Sequence, residues 1–333
     1  MDREPEELQF LGLIGIYRES SKLMFTWKKI FSKISFALIL PLTFIFLAHI
    51  QVSEHIFSKI INNEEALDTT RTGTPSYYRL NDRISSEWTT FWIFKAAYLI
   101  FFLIFSLLST SAVVYTIASI YTAKDLSFKK IMTVVPKVWK RLMITFLWNF
   151  IIIFFYNVIA AFFFILVLIV FDPAGRVKTA ILIILLLFYF SGLVYISVVW
   201  HLASVISVLE DFKGIQAMIK SKVLIQGKKW IACAIFVKLN LAILFIQYAF
   251  ETLVARGEDL RMGIRVLNGV VCFLLLMKLF LFGLVVQSVF YFVCKSYHHE
   301  SIDKSCLADH LEVYLGDYVP LTGKDIQLEQ YHV

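Results

Sequence analysis

Apolar residues gather along this chain into six runs of membrane length, separated by stretches in which Lys, Arg, Asp and Glu collect. The runs lie at approximately 34–53, 91–121, 142–171, 178–206, 230–250 and 266–294. Crossing ~30 Å of hydrocarbon at ~1.5 Å per residue takes about 20 residues, so each run is long enough to span, and the longest must tilt or protrude. Lipid offers backbone N–H and C=O groups no partner, which makes every span a helix. The expected fold is an all-α polytopic membrane protein with six transmembrane helices. An amino-terminal amphipathic segment occupies 1–33, the transmembrane domain 34–294 with its one long outer loop at 54–90, and a tail 295–333.

Between the runs the pattern changes from continuous to helically periodic. Phe10, Leu13, Tyr17, Ser20, Met24, Trp27 and Phe31 recur at spacings of three and four, opposite Gly12, Gly15, Glu19, Lys22, Thr26, Lys29 and Lys33, which predicts an amphipathic helix, either lying in the cytosolic interface or packed on the inner face of the bundle. A second such helix is expected after Ser127, with Phe128, Ile131, Met132, Val135 and Trp139 on one side and Lys129, Lys130, Lys137, Lys140 and Arg141 around the other. A third carries Ile215, Met218 and Ile219 against Lys213, Gln216 and Lys220 and stops at Gly227, ahead of Lys228, Lys229 and Trp230. An offset of 85 residues superposes Ala118-Ser119-Ile120 on Ala203-Ser204-Val205 and Asp125 on Glu210, so spans two with three and four with five read as a possible duplicated hairpin.

Composition agrees: 59% of the 333 residues are AVILMFWYC and 17% are charged, beyond the range of a soluble globule. Lys and Arg number 20 in the connections on one side of the spans and nine on the other, which by the positive-inside rule puts both termini in the cytosol. The net charge of +7 sits beside the spans, so no nucleic-acid partner is expected; the basic cytosolic face, including Lys129, Lys130, Lys137, Lys140, Arg141, Lys228 and Lys229, suits anionic lipid. The acidic start MDREPEELQF is unlike a secretory signal, so nothing should be removed. Cys233, Cys272, Cys294 and Cys306 form no CxxC pair, and no metal site or cofactor is expected.

The stretch VISVLEDFKGIQAMIKSKVLIQGKKW, with Leu209-Glu210, Gly214, Ala217, Lys220-Ser221, Gly227, Lys228 and Trp230, resembles the membrane domain found with some bacterial glycerophosphodiester phosphodiesterases. The whole chain, from PEELQFLGLIGIYRES through KSYHHESIDKSCLADHLEVYLGDYVPL, resembles a plant family of uncharacterised six-span integral membrane proteins. The resemblance implies a six-helix bundle in the endoplasmic reticulum, Golgi or plasma membrane of a plant cell. The phosphodiesterase barrel and its metal site have no counterpart in this chain.

Ionisable groups inside spans are the natural functional candidates, because a charge at mid-helix costs ~2.5 to 3.5 kcal/mol even on permissive scales. Lys278 lies deepest, and Lys238, His201 and Asn240 fall at similar depth on adjacent spans, where they are candidates to hold a lipid headgroup or small anion. The alternative for Asn240 is interhelical hydrogen bonding. No span carries a deep acid, and neither GxSxG nor HExxH occurs, so no catalytic residue is assigned. His298 and His299 read as solvated tail residues, Cys294 and Cys306 as acylation candidates against a buried thiol at Cys294, and Tyr318 with Leu321 as a four-residue sorting motif against a packed tail helix ending at Gly316 with Val319 and Leu321 docked on the bundle. The expected function is non-enzymatic organisation of lipids or partner proteins at the cytosolic face. A transporter using a polar cavity between hairpins is the alternative, and a lipid-modifying membrane enzyme the third.

Overall fold

A computed structural model describes residues 5–122, 127–171, 176–257 and 261–299, and among these every regular element is helical. In chain order they are a short 3-10 helix Pro5–Phe10, α1 (Leu13–Thr26), α2 (Lys28–Ile34), a π-helical segment Ser35–Ile39, α3 (Leu40–Thr69), α4 (Pro75–Tyr121), α5 (Phe128–Val170), α6 (Arg176–Leu209), α7 (Ile215–Leu224), α8 (Lys229–Phe250), a second π-helical segment Glu251–Ala255 and α9 (Met262–Tyr297). Among the described residues six helices are long and apolar enough to cross a membrane, so the chain is an integral membrane protein.

The helices outrun the apolar runs. The connection expected at 54–90 is helical except around residues 70–74, as α3 continues past Glu54 and α4 begins at Pro75. The local chemistry makes the reversal. Gly73 takes φ of 85°, Thr74 caps α4 by accepting the Tyr77 N–H at 3.3 Å, and Pro75 fills the first helical position, where its missing N–H costs nothing. At ~1.5 Å per residue the 47 residues of α4 reach ~70 Å, more than twice the hydrocarbon thickness.

The duplicated hairpin is uneven. The basic helix after Ser127 is continuous with the third span, through Pro136, whereas α7 is separated from α8 by Gly227 at φ of 84°. An 85-residue offset puts Leu142, a good helix former, where Gly227 stands, so the first copy lacks the breaker that the second has.

By internal contacts the chain divides into two compact units. The first comprises Met1–Thr26, Thr110–Phe236 and Leu284–Val333. Its core is formed where α4 is buried on every side from Ser111 to Ile120, α6 from Leu202 to Leu209 and α9 from Ser288 to Cys294. Hydroxyls in these buried stretches bond carbonyls one turn back, Thr116 to Ala112 at 2.7 Å and Ser119 to Tyr115 at 2.9 Å, so they add no unmet polar cost. The outer parts of α5 and α6 pair with each other and otherwise present exposed Phe, Ile and Leu, as lipid contact requires. Tyr156 donates to the Tyr189 carbonyl at 2.8 Å, and Tyr189 to Asn157 Oδ1 at 2.9 Å, fastening that hairpin.

Two amphipathic faces lie elsewhere than the sequence pattern suggested. In α1 the buried stripe is Ile16, Glu19, Ser20 and Leu23, while Phe10 and Phe25 are exposed. In α7 the buried set is Ala217, Met218, Ser221 and Leu224, leaving Ile215 and Ile219 exposed. In both, one serine and two bulky apolar residues face the protein, while other bulky apolar residues face outward.

The second unit comprises Trp27–Ser109 and Val237–Gly283. Its core sets Leu47 and Ile50 of α3 against Phe250, Cys272 and Leu276 of α8 and α9. The α3–α4 hairpin is closed by Asn63 donating to Glu87 at 2.8 Å and by the Trp88 indole donating to Glu64 at 3.2 Å, over buried Ile60 and Ile84.

Candidate functional site, a charge hub after helix six

The carboxylate of Glu210 follows the last residue of α6 and is 11% exposed. One oxygen accepts from the Tyr291 hydroxyl at 2.5 Å and from Lys295 Nζ at 3.2 Å; the other faces Lys220 Nζ at 2.7 Å. Burial pushes the Glu210 carboxyl upward, but Lys220, Lys295 and Tyr291 together outweigh it and hold the group below the usual carboxylate range. It is therefore ionised at neutral pH. With both oxygens occupied by donors or cations it is poorly placed to act as a general base, and its role is to join α6, α7 and α9.

The turn after the hub is shaped by backbone demands. Gly214 adopts φ of 60° beside the Trp148 indole, where a Cβ would approach Cδ1 to 2.6 Å, and its N–H donates to Thr145 Oγ1 at 2.8 Å. Thr145 Oγ1 also lies 2.7 Å from Ser207 Oγ. Asp211 pairs with Arg141 at 3.0 Å, and Ser221 donates to the Val199 carbonyl at 2.7 Å. Gly227 lies against the Tyr297 ring, leaving no room for a Cβ. Lys228 then donates to the carbonyls of Gln9 at 2.9 Å and Leu11 at 3.4 Å, satisfying acceptors left open at the end of the first 3-10 helix. His298 Nε2 lies 3.1 Å from the carbonyls of Leu224 and Gln226, so this histidine is a cap on α7 rather than the solvated tail residue the sequence suggested.

The basic residues divide accordingly. Lys129, Lys130, Lys137, Lys140 and Lys229 are exposed, whereas Lys228 and Arg141 are half-buried and engaged as described. Trp230 is 89% exposed at the start of α8, the placement of an interfacial aromatic anchor.

The intramembrane candidates are distributed differently. His201 belongs to the first unit, with its ring against Trp200 and Phe236, and its carbonyl accepts from Gln287. Lys238, Asn240 and Lys278 belong to the second, where Lys238 and Lys278 are exposed and Asn240 is half-buried. A contact missed from the sequence lies in that unit: Lys95 Nζ is 2.8 Å from His49 Nε2, with the imidazole stacked on Tyr98 at 3.7 Å. Lysine can only donate, so His49 accepts as the neutral tautomer carrying its proton on Nδ1. On the other end of α8, Arg256 bridges Glu54 and Glu251, each at 2.7 Å.

Cys294 is fully buried, which removes it as an acylation site, and no group of His, Cys, Asp and Glu among the described residues is arranged to hold a metal ion. Cys306, Gly316, Tyr318, Val319 and Leu321 lie outside the described residues.

Six spanning helices and a charge hub whose visible work is structural define a multi-pass integral membrane protein with an all-helical fold. The chain belongs to the family described as domain of unknown function DUF8558, whose profile matches residues 1–331. No curated protein and no solved structure matches the chain.

Proposed function

We propose that the protein is a non-enzymatic membrane organiser that gathers anionic lipids, and with them partner proteins, at the cytosolic face of a plant endomembrane or plasma membrane. The supporting observation is α5's first four turns. Ile131, Val134, Val135, Val138 and Leu142 are spent on the first unit's core, while Lys129, Lys130, Lys137 and Lys140 stay exposed beside a spanning segment. Cations held there by a rigid helix gain ~1 kcal/mol each from an anionic surface without a folding cost at binding. The excess of Lys and Arg on this side of the spans orients it, and both termini, toward the cytosol.

The test is native mass spectrometry of the protein released from nanodiscs of mixed phosphatidylcholine and phosphatidylserine. Wild type should retain the anionic lipid preferentially, and changing Lys129, Lys130, Lys137 and Lys140 together to Glu should abolish the preference while leaving thermal stability in place. An unchanged lipid ratio in the quadruple variant would overturn the proposal.

A further inference from the structure

The second unit carries a cation with no neutralising partner among the described residues. Lys278 is exposed on α9, and among the described residues it has neither an ion pair nor a hydrogen bond. Its depth follows from helix geometry. Arg265 donates to the Val254 carbonyl at 2.7 Å, and with Arg256, Glu54 and Glu251 it marks the polar end of this unit. Thirteen residues along α9 is ~20 Å, which leaves Lys278 ~10 Å short of the opposite edge of a ~30 Å hydrocarbon layer.

Escape by snorkelling is opposed by the direction of the helix. Side chains on an α-helix lean toward its amino-terminal end, and for Lys278 that end is the distant one. Lys238 has the opposite circumstance. It sits nine residues after Lys229 on α8, and its stem leans toward the nearer polar boundary, so it can reach headgroups without help.

Neither can a second copy supply the anion. No Asp or Glu occurs in 28–53, 89–121, 128–170, 177–209, 229–250 or 262–297, and two copies meeting on α9 would bring two ammonium groups together. Around Lys278 the exposed face of α9 continues through Leu267, Val270, Val271, Leu274 and Leu275 at spacings of three and four, a stripe suited to one packed helix.

We infer that this α9 stripe docks a membrane-spanning helix of another protein, one that carries an Asp or Glu at the depth of Lys278. The pairing exchanges an unmet charge in hydrocarbon for an ion pair, which is the circumstance in which intramembrane charges are tolerated. The inference stands on residues of the second unit alone and is independent of the basic face on α5.

The experiment places a diazirine-bearing amino acid at position 275 of the full-length chain in its host membrane and identifies the photo-adducts by mass spectrometry. Expected is a spanning protein with a carboxylate inside its span, equally in wild type and Lys278→Arg, with the adduct falling about ten-fold in Lys278→Leu. Lys278→Glu should lose the adduct and regain it when the partner's acid is changed to Lys. Adducts to phospholipid alone, to a second copy of this chain, or to a protein at equal yield in Lys278→Leu would each overturn the inference.

Discussion

Replacing Glu210 by Gln preserves the shape of the hub and removes its charge. The carboxylate lies 2.7 Å from Lys220 and 3.2 Å from Lys295, which at an effective dielectric of about 20 are gross attractions of ~6 and ~5 kcal/mol. Desolvation of the three ions cancels most of this, and removing one partner of a buried pair ordinarily costs about 3 to 5 kcal/mol. Side-chain exposures of 26% for Lys220 and 18% for Lys295 let water recover part of the loss, so about 2 to 3 kcal/mol is expected. On a scale of ~2 to 4 °C per kcal/mol, Glu210→Gln should lower Tm by roughly 4 to 12 °C, read by the monodisperse fraction on size exclusion after heating in detergent. Glu210→Gln/Lys220→Met should recover part of that loss, because it removes one of the stranded ammonium groups. The pH dependence carries its own sign. The Glu210 carboxyl is held below the usual carboxylate range, so its contribution is complete above its unfolded-state pKa and is lost as pH falls through the lower folded-state value. Acid should therefore narrow the gap between wild type and Glu210→Gln. A Tm for Glu210→Gln within about 1 °C of wild type at neutral pH would refute the reasoning, since so small a loss is the mark of a solvated surface pair.

Gly192→Leu should separate the α5–α6 hairpin, because a Cβ at that position would stand 2.3 Å from the Tyr156 hydroxyl; a loss of about 1 to 3 kcal/mol in thermal stability is expected, with partial rescue by Tyr156→Phe. Lys228→Met removes the donor to the Gln9 and Leu11 carbonyls, and amide exchange over residues 8–16 should accelerate while the α6 core stays protected. Arg256→Gln is the contrasting case: Arg256 is 60% exposed although it bridges Glu54 and Glu251, so the same thermal assay should find it indistinguishable from wild type.

Much of the fold was legible because spans are dictated by one quantity, the length of an apolar run. Where helices end was less so, since the run ends where polarity returns and the helix does not. The reversal near Gly73 was nonetheless written in Thr74-Pro75, a cap followed by a residue suited to the first helical turn. Folding the chain there also brings His49 toward Lys95 and Asn63 toward Glu87, pairs nearly equidistant from the turn. The buried faces of α1 and α7 were illegible for a different reason. Beside a bilayer, large apolar side chains have a second favourable environment, so size and hydropathy no longer identify the side that packs against protein. Glu19 and Ser20 are buried in α1 while Phe10 and Phe25 near its ends stay exposed, an arrangement that a soluble protein would penalise.

The hub bears on what the stretch from Val205 to Trp230 can say about function. Glu210 binds α6 to α7 and α9, Gly214 and Gly227 make turns against Trp148 and Tyr297, Ser221 ties α7 to α6, Ala217 is fully buried, and Lys228 holds the amino-terminal segment. These residues, all but Trp230 of the features that stand out in the sequence, are occupied by packing and polar satisfaction. A pattern spent in this way specifies an architecture, and any chain keeping it would be expected to fold alike whatever its chemistry. Trp230 stands apart, with its ring exposed at the level where α8 begins. The proposed lipid and helix contacts fall instead on surfaces outside this pattern, the exposed lysines of α5 and the outward stripe of α9, where substitutions ordinarily cost little stability.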